Sequence, residues 1–183
     1  LKILKKINSN QTPKIVDDKN FSNFYLKLIK ENRIKASIDD SEYSEADVVF
    51  VCSNCDFNFV KNKVELNSYI KNIDQISKKI KNNCLIIIQS TLPPGTTDKI
   101  LEPLIKKNLK KRGIKNFYLC HSFERITPGK DYYSSMRNVE RIIGGKDQKS
   151  LKITKKIFKD IFNLKSNKII ELDSPSESET CKI

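Results

Sequence analysis

Short runs of β-branched and apolar residues alternate along the chain with longer amphipathic stretches. Asp47 opens the run Val48-Val49-Phe50-Val51, which ends in polar Ser53-Asn54, the pattern of a strand covered on both faces. Cys84-Leu85-Ile86-Ile87-Ile88 repeats it and ends at Gln89-Ser90-Thr91; Phe117-Tyr118-Leu119-Cys120 ends at His121-Ser122. Glu140-Arg141-Ile142-Ile143 and Lys168-Ile169-Ile170-Glu171-Leu172 read as two further strands. Between them, apolar stripes at helical spacing predict helices over 21–31, 66–80, 96–109 and 151–162. Strands alternating with helices predict an α/β fold, a doubly wound parallel sheet joined by right-handed crossovers. Ligands of such sheets bind at the carboxyl ends of the strands. Three of the predicted strand ends carry chemically useful side chains: Ser53-Asn54-Cys55, Ser90-Thr91 and His121-Ser122-Phe123-Glu124.

Composition narrows the classes. A chain of 183 residues, 38% hydrophobic and 31% charged, is long enough for a domain with a real core. No apolar run approaches the ~18–20 residues of a membrane span, so no membrane partner is expected. The net charge of +13 invites a nucleic-acid reading. Against it, only five arginines occur and the lysines are spread from end to end, as on a solvated surface. A basic RNA-binding module is kept as the rival class, with no nucleic acid as the expectation. Five cysteines, an odd number with no export signal, predict a reducing cytoplasm rather than a disulfide framework. Cys52 and Cys55 have C-x-x-C spacing, but there is no second pair and His121 is the single histidine, so no metal site is expected. The chain starts at Leu1 in what reads as the middle of a helix, which predicts a piece of a longer protein.

Ser90-Thr91-Leu92-Pro93-Pro94-Gly95-Thr96-Thr97 follows a strand and opens a helix: the prolines stiffen the turn, Gly95 permits close backbone approach and the threonines offer capping hydroxyls. This segment resembles the corresponding one of the nucleotide-sugar dehydrogenases, which oxidise the C6 alcohol of UDP-glucose, UDP-N-acetylhexosamines or GDP-mannose to a carboxylate. Four more segments agree in order. Lys5-Lys6-Ile7-Asn8-Ser9 is similar to the segment after the family's second strand, and Ala46 to Val51 to the strand before its adenosine-side loop. Ser122-Phe123-Glu124-Arg125-Ile126-Thr127-Pro128-Gly129 resembles its Ser-Pro-Glu-Arg-x-x-Pro-Gly motif, and Ser178-Glu179-Thr180-Cys181-Lys182 the opening of its central helix.

The resemblance implies a Rossmann-like NAD-binding domain over 1–173 and the start of a central helical dimerisation domain over 174–183. The cofactor would be NAD, the substrate a nucleotide sugar and the full-length protein a homodimer. Thr91 would position water and contact the nicotinamide side, Glu124 would be the acid/base carboxylate for thioester hydrolysis, and Lys182 would stabilise the oxyanion at C6. Ser90, Thr91, Cys55 and Glu124 would line the cofactor; Arg125 and Ile126 would meet the substrate. The family's nucleophilic cysteine corresponds to none of the five here, and Cys181 is expected to pack. Phe123 replaces a proline, Cys55 stands where a threonine usually contacts NAD, and Pro128 resembles the N-acetylhexosamine branch. No glycines stand in G-x-G-x-x-G spacing, so the phosphate-cradling turn is expected upstream of Leu1 and the chain alone is expected to be inactive. Another dehydrogenase of the 6-phosphogluconate or 3-hydroxyacid class is the enzyme alternative.

Overall fold

A computed structural model describes residues 7–8, 18–60, 62–125, 132–162, 164 and 168–182. The chain forms two compact units, one of residues 40–124 and 140–183, the other of 1–39 and 125–139.

The larger unit holds a five-stranded sheet among the described residues, built from β1 (Val48–Val51), β4 (Leu85–Ile88), β5 (Tyr118–His121), β6 (Arg141–Gly145) and β7 (Ile169–Leu172) in that spatial order. All five lie where the apolar runs predict them. Strand β4 is buried at every position, as a central strand covered on both faces must be. Its alternate side chains divide between two layers. Val49, Val51, Ile86 and Ile88 pack with Tyr69, Ile73, Ile76 and Ile80 from α2 (Asn67–Ser77) and the turn after it, and with Leu101, Ile105 and Leu109 on the helix after β4. On the opposite face Phe50 stacks on Phe158 of α5 (Gln148–Phe162), with 6.3 Å between ring centroids.

The helix after β4 opens with a widened π turn, Thr97–Leu101, before α3 (Glu102–Lys111). Pro103 has no N–H, and its ring would collide with the carbonyl one α-turn earlier, so the preceding turn widens around it. On α5 the buried stripe runs Leu151, Thr154, Phe158, Phe162, while the apolar Ile161 is 55% exposed. A hairpin of β2 (Phe57–Asn58) and β3 (Lys63–Val64), which no periodicity foretold, joins β1 to α2.

One ladder departs from the parallel expectation: β1, β4 and β5 are mutually parallel, and so are β6 and β7, but β5 and β6 run antiparallel. A parallel crossover needs a helix laid back on the sheet. The helix in this connection, α4 (Tyr132–Asn138), belongs instead to the smaller unit, so β6 enters reversed. That unit also contains α1 (Lys19–Lys30), whose N-cap Asp18 accepts from the backbone of Asn20 and Phe21 and, with its second oxygen, from Tyr133 N–H at 2.8 Å. The Tyr133 bond is the largest influence holding the Asp18 carboxyl below its ordinary range.

Candidate functional site

Because β1, β4 and β5 are parallel neighbours, their carboxyl ends lie side by side. The loops leaving them are stitched together. The Ser90 hydroxyl donates to Ser53 O at 2.6 Å, and the Cys52 thiol to Gln89 Oε1 at 3.3 Å, which joins the β1 and β4 loops. Beyond β5 the ladder continues for one bond, Ser122 N–H to Ile88 O at 2.8 Å, and then slips: Glu124 N–H bonds Gln89 O rather than Ser90 O. The Ser90 carbonyl is occupied by His121 Nε2 at 3.1 Å.

His121 is fully buried, between the Ser90 carbonyl and the Ser178 hydroxyl, 2.9 Å from Nδ1. A carbonyl has no proton to give, so Nε2 carries the hydrogen and Nδ1 accepts from Ser178. Burial pushes the imidazole down to about 4, opposed by the bond to Ser90, so it is neutral at pH 7 and acts as a brace. Ser178 belongs to α6 (Pro175–Thr180), which Ser174 caps by accepting from Glu177 N–H at 3.2 Å, with Pro175 at the first helical position. One residue further on, Glu179 is also fully buried, and its carboxylate accepts from Gly95 N–H at 2.6 Å, Thr97 N–H at 2.9 Å and the Thr97 hydroxyl at 2.6 Å.

The strand ends bring two of the expected catalytic residues together. Lys182 Nζ donates to the Glu124 carbonyl at 3.1 Å and lies 5.3 Å from the centre of the Phe123 ring. The Glu124 carboxylate accepts from Arg141 Nη1 at 2.8 Å; Arg141 is fully buried, with its guanidinium carbon 4.3 Å over the Phe162 ring. Thr91 is exposed on the β4 loop and Ser90 buried beneath it, while Cys55 is half-buried, its thiol raised by burial and by Asp56. Arg125 is exposed and belongs to the smaller unit; Ile126 and Pro128 lie outside the described residues, as do Lys5, Lys6 and Ser9.

Several details differ from the sequence reading. Gly95 is required by its φ of +86° and not by close backbone approach, since an added Cβ would meet only the flexible Lys99 side chain at 3.4 Å. The threonines do not cap their own helix: Thr96 Oγ1 donates to Pro93 O at 2.6 Å, and the free N–H groups go to Glu179. Cys181 is exposed, because α6 ends at Thr180 and Cys181 is its terminal cap. Phe123 is buried under Lys182, so the residue replacing proline contributes packing. Arg141, Ser178 and Glu179 were given no role from the sequence, although Ser178 and Glu179 stand in the segment that resembles the opening of the central helix and Arg141 is a charge inside an apolar run.

The strand ends fit the flank of a dinucleotide. The Ser53 and Ser122 hydroxyls are buried there without a hydrogen-bond partner among the described residues, groups that a polar ligand would satisfy. The helix N-terminus after Gly95 is not free for phosphate, since a carboxylate already holds its N–H groups. No helix among the described residues is long and apolar enough to cross a membrane.

Comparison with known proteins agrees with this arrangement. UDP-N-acetyl-D-mannosamine dehydrogenase of Methanocaldococcus jannaschii is 37% identical over 119 residues, covering 62% of this chain and 25% of that protein. The enzyme of that name from Pyrococcus horikoshii is 33% identical over 93 residues, covering 50% of this chain and 22% of its own. The chain thus spans about a quarter of the length of the curated relatives it matches. Among solved structures, NDP-N-acetyl-D-galactosaminuronic acid dehydrogenase of Methanosarcina mazei superposes with a TM-score of 0.85 over 99% of this chain and 38% of that one, at 23% identity. GDP-mannose dehydrogenase of Pseudomonas aeruginosa gives 0.81 over 99% and 41%, at 16% identity. At these identities the structural likeness speaks to the fold. Residues 2–162 match the NAD-binding domain model of the UDP-glucose/GDP-mannose dehydrogenase family, and the chain belongs to that family as its Rossmann-like, NAD-binding part.

Proposed function

We propose that the protein to which this chain contributes oxidises the C6 alcohol of a UDP-N-acetylhexosamine to the carboxylate, in the cytoplasm and as a homodimer. The observation that carries the reading is the meeting of Glu124 and Lys182 at the carboxyl ends of the parallel strands, 58 residues apart in sequence. Relatives from Methanocaldococcus and Methanococcus named for UDP-N-acetyl-D-mannosamine support the acetamido sugar, together with the Pro128 of the sequence motif. Segment 174–183 then opens the central helical domain after the NAD-binding domain of 1–173.

NAD, when bound, accepts hydride; Ser90, Thr91, Cys55 and Glu124 line its nicotinamide and adenosine flanks in this reading, and Arg125 and Ile126 meet the sugar nucleotide. The Lys182 ammonium places positive charge where the C6 oxygen becomes anionic. A cysteine outside this chain captures the aldehyde, loses its proton, and holds the carbonyl carbon as a thioester after the second oxidation. The Glu124 carboxylate takes a proton from water as the water oxygen bonds that carbon; the C–S bond breaks and the thiol is restored. Thr91 orients the water. In balance, one alcohol, two NAD+ and one water give one carboxylate, two NADH and three protons, and the cysteine regains on C–S cleavage the proton it lost on capture.

The test is a progress curve of the full-length protein with limiting UDP-N-acetylmannosamine or UDP-N-acetylglucosamine and excess NAD. Two NADH per sugar are expected, with higher kcat/KM for the acetamido sugars than for UDP-glucose. One NADH per sugar removes the thioester route, and preference for UDP-glucose overturns the substrate.

A further inference from the structure

We propose that Glu179 is a positioning residue that locks the Thr91 loop and the turn bearing Lys182, just beyond α6, into one frame; the proposal rests on the reading of Thr91 and Lys182 given above. A helix start is ordinarily capped by its own Ser, Thr, Asp or Asn, at little cost. Here the start of the helix after Gly95 is capped from a different helix, by a carboxylate with no exposed surface, 84 residues from Gly95. Burying a charge for this purpose is expensive, and stability alone is better served by a local hydroxyl.

The arrangement is reciprocal. Asp98, in the turn that Glu179 caps, accepts from both the backbone N–H of Ser176, at 3.2 Å, and the Ser176 hydroxyl. Each helix start is therefore held by a carboxylate of the other, and neither can shift alone. The clasp ends on functional side chains at both sides. Pro93 and Pro94 rigidly link Gly95 to the Thr91 loop, and Lys182 follows Glu179 by three residues, its N–H bonded to the Glu179 carbonyl at 3.2 Å. His121 adds a second tie in the same direction, from Ser178 to the Ser90 carbonyl. A carboxylate accepting three hydrogen bonds has a defined orientation, which a single hydroxyl cap lacks.

The experiment uses the full-length protein with Glu179→Gln, and with Asp98→Ala, which removes both reciprocal bonds to Ser176 while leaving Glu179 intact and serves if the first variant does not fold. Glu179→Gln keeps the size but turns an amide N–H towards the Gly95 or Thr97 donors. Hydrogen exchange read by mass spectrometry is expected to rise about tenfold in segments 90–99 and 174–182 together, in either variant, with the rest of the sheet unchanged. With NAD and a UDP-N-acetylhexosamine, kcat of Glu179→Gln is expected to fall at least tenfold while KM for NAD moves less than about threefold, the split of a misplaced rather than an unfolded site. Faster exchange confined to 90–99 overturns the coupling, and so does an unchanged kcat in a parent that turns over. A parent that does not oxidise any UDP-sugar shows instead that the functional reading has failed, and the exchange data alone then decide whether the frame exists.

Discussion

Glu124 and Arg141 meet at 2.8 Å because the β5–β6 ladder is antiparallel. Cys120 pairs with Gly145 and His121 with Gly144, and the same ladder extended three steps sets Glu124 opposite Arg141. In an all-parallel sheet the first residue of β6 would lie at the far end from Glu124. The single reversed ladder therefore carries a buried guanidinium to the end of the sheet where the chemistry is proposed.

Arg141→Lys tests that pair. Lysine keeps the charge but loses the fork and the contact over the Phe162 ring, at 4.3 Å in the parent. Destabilisation of about 1–2 kcal/mol is expected from thermal or denaturant unfolding. Turnover of the full-length enzyme should fall, because Glu124 loses the guanidinium that orients its carboxylate. Stability and kcat both at parental values would show that Arg141 does not hold Glu124.

The buried imidazole predicts an acid limb of stability. His121 titrates at about 4 in the folded chain against 6.5 when free. Between those values the unfolded chain binds more protons, so this contribution is complete above pH 6.5 and is lost as pH falls towards 4. The full depression corresponds to roughly 3 kcal/mol. Glu179, raised by burial, acts with the opposite sign, so the measurement compares slopes between variants. His121→Gln, whose amide can still donate to Ser90 O, should flatten the dependence of Tm on pH over this range. An equally steep slope in the variant would place the titration elsewhere.

Gly144→Ala should be among the most damaging small substitutions. Its Cβ would stand 2.1 Å from the carbonyl oxygen of Ser174, the cap of α6, and backbone cannot turn aside as a side chain can. Destabilisation of about 3 kcal/mol or more is expected. A loss below about 1 kcal/mol would show that α6 does not rest against β6 this closely.

The sheet was legible because buried strands are continuous apolar runs: Leu85–Ile88 and its neighbours could be little else. The β2–β3 hairpin was not, since its two-residue strands flank Phe59 and Val60, which are exposed and show no alternation. Tyr69, in the predicted helix 66–80, is fully buried beside Ile73, Ile76 and Ile80. At the candidate site, Thr91, Glu124 and Lys182 are the residues to which the motif resemblance points. The capping roles of Glu179, which stands in the same Ser178–Lys182 segment, and of Asp98 leave no local signature, because their partners lie 82 and 78 residues away. Arg141, a charge inside the run Glu140 to Ile143, is buried, whereas Glu171, placed likewise in the run Lys168 to Leu172, is exposed, so position in an apolar run did not tell them apart.

Whether Glu124 activates the hydrolytic water is tested most directly by Glu124→Gln in the full-length protein. Mixed with NAD and UDP-N-acetylhexosamine, this variant should release NADH in a stoichiometric burst, then stall, and carry a covalent sugar-nucleotide adduct visible by intact mass. Steady-state turnover within about twofold of the parent, with no adduct, would contradict that role and remove Glu124 from the mechanism.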